Sequence, residues 1–434
     1  MGHATHTAPG EEKFDLGRFR LLQLAFATGA GIGLLGILIT LLVSVFIADP
    51  QRVFRHFAHS YLFAYMVGFT IVSGSLFWVL LHHAVDAAWS VVVRRILEHM
   101  ALLSVVLLFL FLPLAWFIWV QPLFFDWSLL EWWTLKKYED LIYDWKAGFL
   151  EHWFFSIRVV LYFATLIGLA YVLRHYSMKQ DKVGDEDIKF GVVNQHTNLI
   201  MRKIAYPGIV FFALALTFAA IDWLMALNHH WFSTMWGVYI FAGCAQSSMA
   251  LLIIVSNCLR NAGYLNEVFT VEHNHIMGKL LFAFTVFWAY VSFSQYMLIY
   301  YANIPEETIF YSVRNFGSWN YYSVCLVIFH FILPFLALLT QPAKWDQRRL
   351  MIIAGFILLM HILDIYWVVL PHFDFREAHH DVSHMHGFAP HFFDIFSLFV
   401  IVGVLGFFFM KFLTKGALFP HKDPRLFESV TLTN

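Results

Sequence analysis

The stretch that decides the fold runs from His273 to Tyr301, HNHIMGKLLFAFTVFWAYVSFSQYMLIYY. It opens among ionisable groups, Glu272, His273, His275 and Lys279, and then stays apolar. The apolar run covers roughly 20 residues, which at about 1.5 Å each spans the hydrocarbon of a bilayer. Polar side chains nevertheless persist inside it. At about 100° per residue, Thr285, Ser292 and Tyr296 share one narrow arc, with Trp288 and Gln295 beside it. A helix facing only lipid has no use for such a stripe. It is either glue that bonds helices to one another or the wall of a polar path.

The rest of the chain repeats this apolar run. Of 434 residues, 60% are hydrophobic and 13% charged, and mean hydropathy is +0.66, which points to a polytopic membrane protein and away from a soluble domain. The first twenty residues are polar and the first apolar run is too long for a cleavable signal. Ten spanning helices are expected, at 21–47, 57–82, 97–120, 150–173, 204–227, 234–258, 276–300, 319–340, 349–370 and 392–415. They make a transmembrane domain over 21–415, between tails at 1–20 and 416–434. An even number puts both termini on one side. Loops and tails on that side hold 20 Lys and Arg against 7 on the other, so the positive-inside rule places both termini in the cytoplasm. Gly29 and Gly33 in the first helix give a small-xxx-small face for close packing, and this helix is expected to be peripheral.

Cys244, Cys258 and Cys325 all lie in apolar segments and form no CxxC, so no iron–sulfur cluster or c-type haem is expected on this chain. Glu131 to Lys146 alternates aromatic and charged residues (EWWTLKKYEDLIYDWK) and reads as an amphipathic helix lying in the interface. Arg174 to Lys203 reads as a solvated connector. The loop before the last helix carries His372, His379, His380, His384, His386 and His391 with Asp374, Asp381 and Asp394. It is a metal-binding loop or a solvated, partner-facing one, and no spacing in it matches a closed metal site.

Ionisable groups within the apolar runs sort by depth. Arg158, Asp222, Asp364 and Asp394 fall toward the outer side. His82, His83, Glu98, His99, Glu272, His273, His275 and Lys279 fall toward the inner side, and Gln246, Ser247, Ser248, His330 and His361 fall between. Such groups are costly in a bilayer and usually serve a function. As two half-paths for protons, the candidates are Glu98, His99, Arg158, Asp222, Glu272, His273, His275, Lys279, Thr285, Ser292, Gln295, Tyr296, His330, His361 and Asp364. The structural alternatives are equally specific. Arg158 pairs with Asp222 or Asp364 to hold helices together, and the histidines at helix ends are simply solvated. His330 and His361 as haem ligands would need small neighbours, whereas theirs are bulky.

Four strings carry a resemblance: TFAAIDWLMALNHHWFSTMWGVYIFAG (217–243), GKLLFAFTVFWAYVSFSQYMLIYYANIPEET (278–308), LHHAVDAAWSVVVRR (81–95) and PHKDPRLFESV (420–430). Together they resemble the polysulfide-reductase membrane-subunit (NrfD-like) family, in particular the smaller of the two such subunits of bacterial alternative complex III, a quinol:electron-acceptor oxidoreductase. After DWLMAL the chain departs from that pattern, reading NHHWFST where an acidic residue and Pro are expected, which adds His229. The resemblance implies two four-helix bundles plus two peripheral helices, in the bacterial inner membrane. It implies as partners a sister NrfD-like subunit, a periplasmic iron–sulfur protein, c-type cytochrome subunits, membrane lipid and, in some complexes, a terminal oxidase, with no nucleic acid. It implies no cofactor in this chain itself, the clusters and haems belonging to the partners. Three functions are then open. The chain is a non-catalytic subunit supporting assembly and proton conduction, or it binds quinone or quinol itself, with Arg158, Asp222 and Trp223 as the candidate site. The third, an independent secondary transporter, would need paired helix breaks, and Pro113, Pro207 and Pro334 form no pair.

Overall fold

The structure, a computed structural model, describes residues 10–47, 49–125, 127–135, 141–182 and 190–433. Among these residues there are helices and no strand, with an isolated antiparallel bridge joining Lys13 to Ala417. Lipid offers no hydrogen-bond partners, so an apolar chain must satisfy its backbone within each segment. Ten helices are long and apolar enough to cross a membrane: α1 (Leu16–Ile47), α2 (Pro50–Ala84), α3 (Ala88–Leu123), α4 (His152–Gln180), α5 (Gln195–Leu227), α6 (Trp236–Asn261), α7 (Val271–Ala302), α8 (Ser318–Leu339), α9 (Gln347–Glu377) and α10 (Phe392–Leu413). The chain is thus an all-α, multi-pass membrane protein.

Several helices extend past their apolar runs, because capping groups set their ends. Asp49 accepts from the N–H groups of Gln51 and Arg52, at 3.3 and 3.2 Å, and Pro50 takes the first helical position, where its missing N–H costs nothing. Helix α2 therefore begins seven residues before the expected 57.

The spans pack as two rings. Helices α2, α3, α4 and α5 close one four-helix bundle, and α6, α7, α8 and α9 close the other. Helix α2 joins them by packing on both α6 and α9, while α1 pairs with α10 on the periphery. The junction depends on one missing side chain. A Cβ on Gly74 would sit 1.9 Å from the carbonyl oxygen of Cys244, so α2 and α6 cross with backbones in contact. One turn on, Trp78 Nε1 donates to Ala245 O at 3.0 Å, a bond that only so close a crossing permits.

Two expectations are corrected. The close α1–α10 face uses Gly33 and Gly36, with Gly403 and Gly406 opposite: a Cβ on Gly33 would lie 2.7 Å from Phe396 O, and one on Gly403 would lie 2.6 Å from Phe26 O. Gly29, expected in that face, has nothing within 4 Å of its Cβ position. The Glu131–Lys146 stretch is not one interfacial helix. Glu131–Thr134 forms a short 3₁₀ turn, with Trp132 fully enclosed and Trp133 stacked on His152 at 4.0 Å, and the extended backbone of Leu135 ends it. A separate helix follows at Leu141–Leu150. Residues 136–140 of that stretch and 183–189 of the connector lie outside the described residues.

Gly74→Ala is expected to force α2 from α6 and cost about 3 kcal/mol or more, at or beyond the usual overpacking range because the clash is with backbone. The check is a thermal shift of the detergent-purified chain against Gly29→Ala, which should leave the midpoint nearly unchanged.

Candidate functional site

The second bundle encloses the most connected group of buried polar side chains in the middle of the spans. His330 Nε2 lies 3.0 Å from Gln246 Oε1, Gln246 Nε2 donates to Thr285 Oγ1 at 3.1 Å, and Thr285 donates to Leu281 O at 2.8 Å. The His330 ring packs on Trp288 with centroids 4.0 Å apart, and Trp288 Nε1 donates to Asp364 Oδ2 at 3.1 Å. Tyr239 donates to the other oxygen, Oδ1. Asp364 is only 2% exposed, and among the described residues no cation makes an ion pair with it. His361 bonds Thr70 Oγ1 at 2.8 Å, and Gly243 leaves room for its ring: a Cβ there would meet His361 Cε1 at 3.0 Å.

Proline geometry sets this arrangement. Pro334 lacks an N–H, so the carbonyl four residues earlier, that of His330, has no ordinary helical partner. Helix α8 widens there into a π turn, Val327–Ile332, whose single buried residue is His330. Pro371 similarly strands the carbonyl of Trp367 in α9. Arg314, in the short helix Pro305–Arg314, answers it: Nε donates to Trp367 O at 3.0 Å, Nη2 to Val368 O at 2.6 Å and Nη1 to Phe310 O at 2.9 Å. Burial pulls the Arg314 guanidinium down to about 9.

Between α7, α8 and α9, Asp364 borders a cavity of about 740 Å³. Its walls are mainly aromatic and aliphatic, with Ser292, Gln295, Asn320 and Ser323 as further polar groups. Phe293, Val324 and Val327 line it while remaining about half exposed on the lipid-facing side of the bundle.

The other candidates separate into distinct places. Arg158 forks onto Asp222 through Nε and Nη2, both at 2.8 Å, Tyr162 donates to Asp222 Oδ2 at 2.5 Å, and the third Arg158 donor reaches Phe149 O. Rings of Phe69, Phe111 and Phe163 surround Trp223. These three residues, expected as a quinone site, form a charge-compensated clamp between α4 and α5, and the large cavity lies elsewhere. Glu98 sits among Arg94, Arg95 and Arg174 at 3.5, 3.3 and 3.7 Å, and Arg94 also binds Asp423 of the C-terminal tail at 2.8 Å. His99 is fully buried near this cluster. His273 accepts from Thr270 N–H at 3.0 Å and meets Ser429 Oγ at 3.1 Å, so it caps α7 and anchors the tail. His275 pairs with Glu272 at 3.4 Å. Lys279 and Tyr296 are exposed, which removes Lys279 from the bundle interior where a path requires it. Ser292 bonds only its own helix, at Trp288 O.

The His-rich loop is organised by hydrogen bonds. Asp374 accepts from the N–H groups of His386 and Gly387, at 3.0 and 2.8 Å, and from Trp319 Nε1 at 3.3 Å. Among the described residues no three His, Cys, Asp or Glu converge on a metal position. Beside this loop, His380 Nε2 meets Glu131 Oε1 at 2.9 Å. Burial pushes the Glu131 carboxyl up, but the His380 hydrogen bond and the Arg376 charge outweigh it and hold the group at about 2. The same hydrogen bond holds the His380 imidazole above its ordinary value.

No protein-family model matches the chain, and no curated protein matches it. The likeness to NrfD-like subunits therefore rests on the residues quoted above.

Sequence reasoning missed Arg314 and Tyr239. The signal for Arg314 was present: an arginine in a short connection, with a proline in the next span but one whose missing N–H leaves a carbonyl to satisfy.

Arg314→Met is expected to leave the Trp367 carbonyl without a partner, at about 1–3 kcal/mol. A drop in thermal midpoint larger than that of Arg348→Met, at an exposed position, checks it. The Glu131–His380 contact is pH-dependent in both directions. The His380 part, with its value raised in the fold, is complete below 6.5 and lost as pH rises through the folded value. The Glu131 part, with its value lowered, is complete above 4.5 and lost as pH falls toward 2. Oxidative labelling of Trp132 and Trp133 should therefore increase between about pH 6 and 8.5, and His380→Ala should label at the higher level at both.

Proposed function

We propose that this chain is the smaller NrfD-like membrane subunit of a quinol:electron-acceptor oxidoreductase of the alternative complex III type. It resides in a bacterial inner membrane with both termini in the cytoplasm. Its partners in this reading are a sister membrane subunit, a periplasmic iron–sulfur protein and c-type cytochromes, which carry the redox groups. The four quoted motifs support the family, and the two rings with a peripheral helix pair agree with its architecture.

The observation that carries the role is where the polar group stops. Asp364 bonds Trp288, whose ring only packs on His330, and a separate bonded group runs from His330 through Gln246 to Thr285 and ends on Leu281 O. Between Thr285 and the Asn257–Asn274 pair, buried Met277, Leu281, Ile253 and Ile357 occupy the intervening depths. A proton needs oxygen, nitrogen or water at hydrogen-bond spacing, so this arrangement supports proton exchange with the non-terminal side only, not a continuous path. Asp364 is the exchanging group. Arg158 and Asp222 are structural in this reading, since a bidentate guanidinium and a tyrosine hydroxyl compensate the carboxylate charge and hold it ionised. That compensation, and the absence of the large cavity there, also leaves the alternative of a quinone at Arg158, Asp222 and Trp223 with less support.

Purification through a tag on this chain should co-purify c-type haem and an iron–sulfur protein with quinol-oxidising activity. Recovery of the chain alone from a membrane that contains those partners overturns the assignment. In the assembled complex, Asp364→Asn should slow proton release during turnover by about 100-fold or more, the usual scale for a lost proton-transfer group. Arg158→Met should instead lower the yield of complex, because it strands Asp222 at a cost of about 3–5 kcal/mol, with turnover per assembled complex near normal.

A further inference from the structure

A second cavity, of about 320 Å³, lies where α1, α2, α8, α9 and α10 meet on the non-terminal side. Its floor is apolar and aromatic, with Leu370, Phe373 and Phe393 beside the rings of Trp319 and Tyr366. The polar groups of those two rings are spent: Trp319 Nε1 donates to Asp374 Oδ2 and the Tyr366 hydroxyl to Asp394 Oδ2. Other donors in the wall are unspent. Arg52 reaches Glu377 through Nε at 3.3 Å, and its two terminal nitrogens make no further ion pair or hydrogen bond. Ser44, half-buried on α1, has a hydroxyl without a partner. His391 Nδ1 accepts from Phe393 N–H at 3.2 Å, so the neutral ring carries its proton on Nε2, which makes that nitrogen a donor and not a metal ligand. His56 lies between the rings of Phe373 and His391, both at 4.5 Å, and makes no hydrogen bond, so it can donate or accept.

Acceptors with spare capacity face the same space. Glu377 takes one guanidinium on each oxygen, Arg55 at 2.8 Å and Arg52 at 3.3 Å, and each oxygen has room for a second donor. Asp374 Oδ1 takes the N–H of His386 at 3.0 Å, with the His386 ring 3.4 Å away. Arg52 and Arg55 offset Asp374 and Glu377 in charge, and Asp394 lies behind the wall, bonded to Tyr366 and Ser60. No net positive charge therefore draws in a simple anion, and no net excess of free carboxylate draws in a simple cation. Beside the cavity, Phe46 and Ile47 of α1 and Phe392 of α10 are largely exposed at the ends of their spans, where hydrocarbon gives way to head groups.

We propose that this cavity seats a zwitterionic phospholipid head group carrying a primary ammonium, with its phosphate among Arg52, Ser44 and His391, its ammonium on Glu377, and its acyl chains along Phe46 and Phe392. Both ends then make charge-assisted hydrogen bonds, the stronger kind, and a head group with no net charge meets a wall with none. The bound head bridges α1, which packs chiefly on α10, to α2 and α9. The inference rests on this cavity and on a membrane setting, and does not depend on membership of a complex.

The test titrates the full chain, purified in detergent and stripped of lipid, with dioleoyl phosphatidylethanolamine, dioleoyl phosphatidylglycerol or inorganic phosphate, read by native mass spectrometry. One phosphatidylethanolamine per chain should bind at least about tenfold more tightly than phosphatidylglycerol, the worth of one charge-assisted hydrogen bond, and inorganic phosphate should not compete. Arg52→Gln, at an exposed side chain whose loss leaves Glu377 paired with Arg55, should weaken this binding about tenfold or more. His391→Asp, which keeps an N-cap acceptor but puts a carboxylate where the donor was, should do the same. Glu377→Gln should bring the two lipids level, and Arg348→Met, exposed on the terminal side, should change nothing. Equal binding of the two lipids by the unaltered chain overturns the zwitterion recognition. Binding of inorganic phosphate in place of lipid overturns the lipid occupant, and unchanged affinity in Arg52→Gln overturns the site. If His391→Asp does not fold, Arg52→Gln and the ratio of the two lipids decide.

Discussion

Everything in this structure hangs on the crossing of α2 and α6 at Gly74. Between two helices in lipid there is little hydrophobic driving force, since tails are as apolar as leucine, so association depends on close packing and hydrogen bonds. Gly74 lies against the carbonyl of Cys244, and Trp78 donates to the next carbonyl, Ala245 O. This crossing fastens the first ring of helices to the second. It also sets the second bundle against Thr70 of α2, which gives His361 its partner.

The second bundle departs from ideal helices where prolines remove donors. At Pro334 the helix absorbs the loss by widening into a π turn, and His330 turns inward. At Pro371 the loss is met from outside, by a guanidinium whose donors land on backbone carbonyls and not on a carboxylate. Arg314 is thereby a structural cation. Its own carbonyl accepts from Ser323 at 2.8 Å, which also accepts from Trp367 Nε1, and both residues line the cavity. The irregular turns and the cavity wall are one construction.

Two buried aspartates show how environment decides role. Asp222 meets a bidentate arginine and a tyrosine, and its charge is fully compensated. Asp364 meets two neutral donors and open space. The first arrangement holds helices; the second leaves a carboxylate able to engage something from outside the chain. On the non-terminal face, Asp374 and Glu131 use their charge to fix the loops that follow the spans.

The sequence by itself determined the number of spans, their order and the shared side of the termini, because hydrocarbon thickness and the obligation to close backbone hydrogen bonds act on each segment separately. It marked the polar stripe on α7 in part: of the arc itself Thr285 is buried, Ser292 half-buried and Tyr296 exposed, and the buried face is centred on the neighbouring Trp288 and Gln295. It did not decide between the roles of Asp222 and Asp364, since both are single aspartates set in apolar runs. It did not separate Gly29 from Gly33 and Gly36, or assign His330 a partner on Gln246. Those outcomes depend on which helix faces lie together, and rotation of one helix against another is settled by contacts among residues far apart in the chain. Only the tertiary structure could therefore decide that the arginine-paired aspartate is a clamp and that the one beside a cavity is the candidate site.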